Sequence, residues 1–348
     1  LFELPNMRFG LLLLAVALAF ASVTSDVLNQ GKVVRTVTLS GDKCNYKELA
    51  WAINGKHELL PGDIYNRDGK CVDDGVNEHI RDGGEVILDC PGKTITMGDD
   101  PVDPCDKKTQ RTNVDFAGVF VSHDNVVVRG VKGSDGTPSV TLSGGNKRRI
   151  FLVGRSWYYG LEGEAEGQQA SHPFHVTVKD LNIVNGVDDH YKAHSVYGSR
   201  PLEVKHGGGC IKVGNHGVLT LDNVHFKHCV TKFKENDPDG DGGGAIVVGG
   251  EYGELRVKNC VFEDCHAEET TAWGGALYTR FAEKLTVENS VFTKNSAHRG
   301  GAIAVHDNYR KIEIKNCAFY ENKAGERTTK DSMGGAIYDM HTDIYVTG

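Results

Sequence analysis

The sequence predicts an all-β solenoid, a parallel β-helix closed at its N-terminal end by a disulfide-containing cap. Three observations carry this expectation: a glycine mark that recurs along the C-terminal two-thirds, a strand signature of constant phase between the marks, and rows of matching side chains once the strands are stacked.

The mark is a Gly-Gly pair followed by a small residue and Ile or Leu. It stands at Gly208-Gly209-Cys210-Ile211, Gly243-Gly244-Ala245-Ile246, Gly274-Gly275-Ala276-Leu277, Gly300-Gly301-Ala302-Ile303 and Gly334-Gly335-Ala336-Ile337, at intervals of 35, 31, 26 and 34 residues. Between the marks lie "VTVKDLNI" from Val176, "LTLDNVHF" from Leu219, "LRVKNCVF" from Leu255, "LTVENSVF" from Leu285 and "IEIKNCAF" from Ile312. Each opens with strict apolar/polar alternation, the period of a half-buried strand rather than a helix. No helical period of comparable strength fills the intervals, which disfavours a strand-helix barrel or a leucine-rich horseshoe. Strands of fixed phase at unequal intervals imply coils of constant core joined by loops of variable length.

Stacking the strands tests that register. Val176, Leu219, Leu255, Leu285 and Ile312 form one inward row, and Val178, Leu221, Val257, Val287 and Ile314 a second, with a phenylalanine row beside them. The outward row Lys179, Asp222, Lys258, Glu288, Lys315 alternates in sign, which favours neighbouring strands over like-charge pairs. Asp180, Asn223, Asn259, Asn289 and Asn316 follow as an expected amide ladder. Cys229 and Cys265 fall at matching positions three residues after Phe226 and Phe262, so a Cys229–Cys265 disulfide is expected between adjacent coils. Ser290 separates Cys260 from Cys317, and Cys210 in its glycine mark reads as a buried free thiol.

Ahead of the coils, one Arg precedes the apolar run from Leu11 to Ala21, with Ala19-Phe20-Ala21 as an A-x-A site. This reads as a secretory signal peptide starting at Met7, within a leader over 1–21. The run is too short to span a bilayer, and no other segment qualifies. A secreted or cell-surface location follows as an expectation, and with it disulfides among the nine cysteines. Residues 26–110 form the expected cap region. They hold Cys44, Cys71, Cys90 and Cys105, whose three possible pairings the sequence leaves open, and "CNYKELAWAIN" from Cys44 to Asn54 has the composition of a short helix. The solenoid is assigned to 112–348, with a first full coil from Val114. The chain ends at "IYDMHTDIYVTG" in mid-coil, which reads as a fragment of a longer protein.

The pairing of GGAI with "FTKN" at Phe292 and "FYEN" at Phe319, with "FKHC" and "FEDC" as variants, resembles the repeats of chlamydial polymorphic outer membrane proteins. "CNYKELAWAIN" is similar to the opening that caps many secreted proteins of the pectin-lyase-like fold. The resemblance implies a right-handed coil and a role in surface adhesion or display.

Net charge −8 and the lack of a basic patch interleaved with aromatics argue against nucleic acid as a partner. No Asn-x-Ser/Thr sequon, nucleophile elbow, phosphate-cradling loop or zinc-spaced Cys/His set occurs. The expected role is extracellular binding, adhesion or wall structure, with a polysaccharide or surface protein as partner. The alternative is a polysaccharide lyase or uronate epimerase, for which Tyr278, Arg280, His306 and Tyr338 would supply the base and the carboxylate-neutralising groups. The outward positions of the glycine-mark strands carry no carboxylate pair of the kind glycoside hydrolysis uses. Asp237, Asp239 and Asp241 in "NDPDGD" are weak calcium candidates, because the twelfth position of the loop is Val248 rather than a bidentate Glu. Asp188, Asp189, His190 and His194 in "NGVDDHYKAH" are a second weak metal candidate. The His-Asp-Asn turns of "VSHDN" at Val121 and "VHDN" at Val305 are explained by turn chemistry.

Overall fold

The computed structural model describes residues 32–33, 35–54, 78–80, 83–97, 117–121, 124–153, 173–189, 207–214, 216–232, 242–249, 252–268, 272–325 and 332–348. Residues 1–21, read above as a leader, Cys71, Cys105 and the calcium candidates Asp237, Asp239 and Asp241 lie outside these residues.

Three parallel sheets wrap one core, and the successive coils from Val187 to Ala324 contribute a strand to each of them. The longest sheet runs through Thr36–Ser40, Glu85–Asp89, Val126–Gly130, Phe174–Val184, Gly217–Lys227, Glu254–Lys258, Lys284–Glu288, Ile312–Lys315 and Ile344–Thr347. A five-stranded sheet runs from Val187–Asp189 to Lys323–Ala324, and a seven-stranded sheet from Ala117–Val121 to Ile337–Met340. The expected rows are met residue for residue: Val176 pairs with Leu219, Leu219 with Leu255, Leu255 with Leu285 and Leu285 with Ile312. Ile211, Ile246, Leu277, Ile303 and Ile337 stack in the same way. Inside, Phe226, Phe262, Phe292 and Phe319 form a column with centroids 4.8, 4.7 and 5.1 Å apart. Each fully buried ring contributes about 1.5–3 kcal/mol of apolar burial.

The corners explain the glycine mark and the asparagine row. Gly208, Gly243, Gly274, Gly300 and Gly334 have φ between 65 and 76°. The second glycine serves a different need: a Cβ on Gly244 would lie 2.1 Å from the carbonyl of Gly275 on the next coil. The first glycine therefore turns the chain, and the second lets the coils approach. Asp180, Asn223, Asn259, Asn289 and Asn316 also take positive φ, from 49 to 56°, the left-handed region that Asn and Asp tolerate best among residues with a side chain. Ladder bonds are present in part: Asn223 Nδ2 donates to Asp180 at 2.7 Å and Asn316 Nδ2 to Asn289 at 3.3 Å, while Asn259 Nδ2 turns to Asp222 at 2.8 Å.

The charge row keeps its register, but its charges find other partners. Lys179 reaches Glu85 at 3.9 Å, and Lys315 bonds Glu313 on its own strand at 2.8 Å. Parallel side chains about 4.8 Å apart gain as much by leaning along or across the sheet as by pairing directly.

The expected Cys229–Cys265 disulfide is not formed. Cys229 pairs with Cys210, with Cα atoms 5.5 Å apart, and Cys265 is a buried free thiol. The expectation that Cys210 is free is overturned with it. Stacked residues project their Cβ atoms in parallel at roughly the strand spacing, wider than the 3.5–4.5 Å a disulfide needs. Cys210 instead approaches Cys229 across the interior of one coil. Cys260 and Cys317 are free, with the Ser290 hydroxyl taking the Cys260 N–H at 3.1 Å.

Helix α1, Tyr46–Asn54, fulfils the helical reading of the cap. Asn45 caps it, its Oδ1 accepting from the Glu48 N–H at 3.0 Å. Leu49 and Ile53 enter the core, and Cys44–Cys90 ties the start of the helix to the end of Glu85–Asp89. Because Thr36–Ser40 and Glu85–Asp89 already belong to the long sheet, stacking starts within residues 26–110, ahead of Val114.

Candidate functional site

The outer face of the seven-stranded sheet brings together the four residues singled out by sequence. On Leu277–Arg280, Ile303–His306 and Ile337–Met340 the first residue of each strand faces the core. Alternation then places Tyr278, Ala304 and Tyr338 in one outward row and Arg280, His306 and Met340 in the next. The residue before each glycine pair continues the ladder, so that Trp273, Arg299 and Met333 bridge in register.

Trp273 organises the face. Its ring stacks on His306 at 4.7 Å and 20°, meets Tyr338 edge-on at 5.2 Å and tilts against Tyr278 at 5.8 Å. The Arg299 guanidinium lies 5.1 Å from the Trp273 ring and 5.6 Å from the Tyr338 ring, and Arg280 lies 5.0 Å from Phe281. Such stacking holds a guanidinium plane while leaving in-plane donors for an anion. Among the described residues neither Arg280 nor Arg299 stands within ion-pair distance of a carboxylate, and the Nε of each is buried without a hydrogen-bond partner.

Tyr278 departs from its expected role. It is 1 % exposed and packs with Val247, Trp273 and Ala304 in an apolar cluster separate from the main core. A ring sealed beneath Trp273 supports the platform and does not reach a chain lying on the surface. His306 is partly buried, with its side chain 14 % exposed. Burial holds its imidazole below the usual histidine range, against the opposing pull of Asp307. Asp307 places one carboxylate oxygen 3.1 Å from His306 Nε2 and the other 2.9 Å from His341 Nδ1.

Sequence reasoning missed Trp273, Arg299 and His341, and assigned Asp307, in "VHDN", to turn chemistry alone. Trp273 and Arg299 were legible as the position before each Gly-Gly, had the glycine mark been extended by one residue. Asp307 and His341 continue a corner row, His216, Tyr252, Phe281, Asp307 and His341, whose shared feature is a φ between 49 and 62°. Their side chains have no common chemistry by which sequence could align them.

The other candidates fare differently. Asp188 is no free metal ligand: its carboxylate receives Arg149 Nη2 at 2.9 Å and the Gly207 N–H at 2.7 Å, while Arg149 also donates to the carbonyls of Gly207 and Gly208. This buried pair clamps the first glycine mark to the preceding coil. His190 and His194 lie outside the described residues, as does the Asp189 side chain. In "VSHDN", Asp124 accepts from the Asn125 N–H at 2.8 Å at a left-handed corner, as turn chemistry requires. Among the described residues no helix is long and apolar enough to cross a membrane.

Residues 175–338 match the family model described as a right handed beta helix region. No curated protein and no solved structure matches the chain. With the parallel sheets and the N-terminal disulfide, that match makes the fold a right-handed parallel β-helix with a disulfide-containing cap.

Proposed function

We propose that the protein is a secreted or cell-surface β-helix that binds an acidic polysaccharide through the face around Trp273, serving extracellular binding, adhesion or wall structure. The observation that carries this reading is the pair Arg280 and Arg299, stacked on aromatic rings with no ion-pair partner among the described residues. In a chain of net charge −8, a guanidinium pair with no ion-pair partner among the described residues, beside the partly exposed Tyr338 ring, suits uronate carboxylates and the apolar face of a sugar. The leader over 1–21 and the likeness of the GGAI and FxxN marks to chlamydial surface proteins support the location.

The test is titration with oligogalacturonate and oligoalginate, against neutral oligosaccharides, followed by calorimetry and tryptophan fluorescence. Binding should be selective for the acidic chains and weaken with salt, and Arg280→Ala or Arg299→Ala should lower affinity about tenfold or more, as loss of a charged hydrogen bond does. Equal affinity for neutral chains, or none for either, would overturn it.

A second reading, uronate lyase or epimerase, draws on the His306 imidazole, which burial holds below the usual histidine range, beside Arg280. Incubation with pectin or alginate, with and without calcium, decides it. Unsaturated-uronide absorbance for a lyase, or a changed ratio of C5 epimers in the proton NMR spectrum of the alginate for an epimerase, establishes catalysis if Arg280→Ala and His306→Gln abolish it, and neither signal leaves binding alone.

A further inference from the structure

We propose that His306, Asp307 and His341 form a binding site for a divalent transition metal of the zinc and copper class. The site goes beyond glycan binding and does not depend on it.

Two successive coils build it. His306 ends the strand Ile303–His306, and Asp307 follows at φ 49°. His341 occupies the equivalent corner one coil on, at φ 62°, and the Asp307 N–H bonds the Met340 carbonyl at 3.0 Å, fixing the two corners against each other. Left-handed backbone at a residue with a side chain costs free energy, and two such corners aim their side chains at one point. The three ligand atoms lie within 4.8 Å of one another. A tetrahedral ion with ligands about 2.0–2.2 Å away needs donors roughly 3.3–3.6 Å apart, so small side-chain rotations suffice.

The donor set selects the metal. Two imidazoles and one carboxylate suit zinc or copper, whereas calcium and magnesium prefer an all-oxygen shell. A bound ion would take the place of the present Asp307–His306 and Asp307–His341 contacts, at 3.1 and 2.9 Å. Three protein ligands leave a fourth position, and His341, with its side chain 67 % exposed, stands on the solvent side. Arg280 and Arg299 lie close enough to His306 to act on its charge, and they oppose a cation there. The site should therefore be weaker than a closed structural zinc site.

The test uses the full-length protein after chelator treatment. Zinc is titrated by calorimetry and cobalt by visible absorption, with His341→Ala and Asp307→Asn beside the wild type. Asn tolerates the left-handed corner, and His341 is exposed, so both variants should keep the wild-type circular dichroism. The expected result is one zinc per chain, a tetrahedral cobalt spectrum, and a loss of at least about tenfold in affinity in each variant. If Asp307→Asn fails to fold, His306→Gln replaces it with the same expectation. No binding by the wild type, or binding unchanged in His341→Ala, overturns the proposal.

Discussion

Asn295 shows how a single buried polar residue ties its own coil to both neighbouring coils. It is fully buried, and its Oδ1 accepts the Cys265 N–H at 3.0 Å while its Nδ2 donates to the Phe262 carbonyl at 3.0 Å and to Asn322 Oδ1 at 2.9 Å. Asn295→Ala strands a buried donor and a buried acceptor, at about 1–3 kcal/mol each, and denaturant unfolding should register that loss. The FxxN spacing was legible in the sequence, but its alternation with Cys was read as a disulfide, because sequence gives row membership and not Cβ direction. Burial pushes the Cys260 and Cys265 thiols up to about 12, so both should resist alkylation in the native protein and react once it is denatured. A Cys229–Cys265 linked peptide, or rapid native labelling of Cys265, would contradict the structure. Glu263 offers a pH test. The hydrogen bond from Lys227 at 3.0 Å, with help from His225, holds its carboxyl below the usual range, so the unfolded chain binds its proton more readily. The stabilisation is complete above the ordinary glutamate range and is lost as pH falls from there through the lowered value of the folded state. Stability curves of the wild type and Glu263→Gln should differ at neutral pH and converge in acid.

At the scale of the element, strands were the legible part and corners were not. Alternation named the inward rows directly, because burial on one face imposes a period of two. Left-handed φ has no such period, and Asn, Asp, His, Lys, Tyr, Phe and Glu all adopt it in this chain. The asparagine row was accordingly read for its side-chain bonds, when its conformation is the more general cause. Two substitutions separate these causes. Gly274→Ala places a Cβ 2.0 Å from the Leu277 carbonyl at a φ of 66°, and should cost at least about 2 kcal/mol. Asn289→Gly keeps the left-handed corner and gives up one long bond from Asn316, so thermal unfolding should change by no more than about 0.5 kcal/mol. A large loss in Asn289→Gly would restore the side-chain ladder as the main reason for the row. The outer face of the seven-stranded sheet was legible in half: the strand residues Arg280, His306 and Tyr338 came from alternation, while Trp273 and the corner residues needed the fold.

Across the whole molecule, a solenoid transmits stability from coil to coil, because each turn touches only its neighbours. The end of the stack is therefore where a local tie has most to do. Helix α1 covers the first coils with Leu49 and Ile53, and Cys44–Cys90 closes a sequence separation of 46 residues around it. Loop-entropy reasoning assigns about 4 kcal/mol to such a closure, against about 3 kcal/mol for the 19-residue separation of Cys210–Cys229. The two losses should differ in place as well as in size. In Cys44→Ser/Cys90→Ser, amide exchange should quicken first in Thr36–Ser40 and Glu85–Asp89, where the cap is released. Lys284–Glu288 and Ile312–Lys315, several coils away, should keep their protection. In Cys210→Ser/Cys229→Ser the loosening should centre on Ile211–Val213 and Val230–Lys232. Denaturant unfolding of the cap variant should broaden as the end coils melt ahead of the rest. Equal acceleration of exchange in every coil would show instead that the β-helix unfolds as one cooperative unit, with the cap disulfide acting on the whole of it.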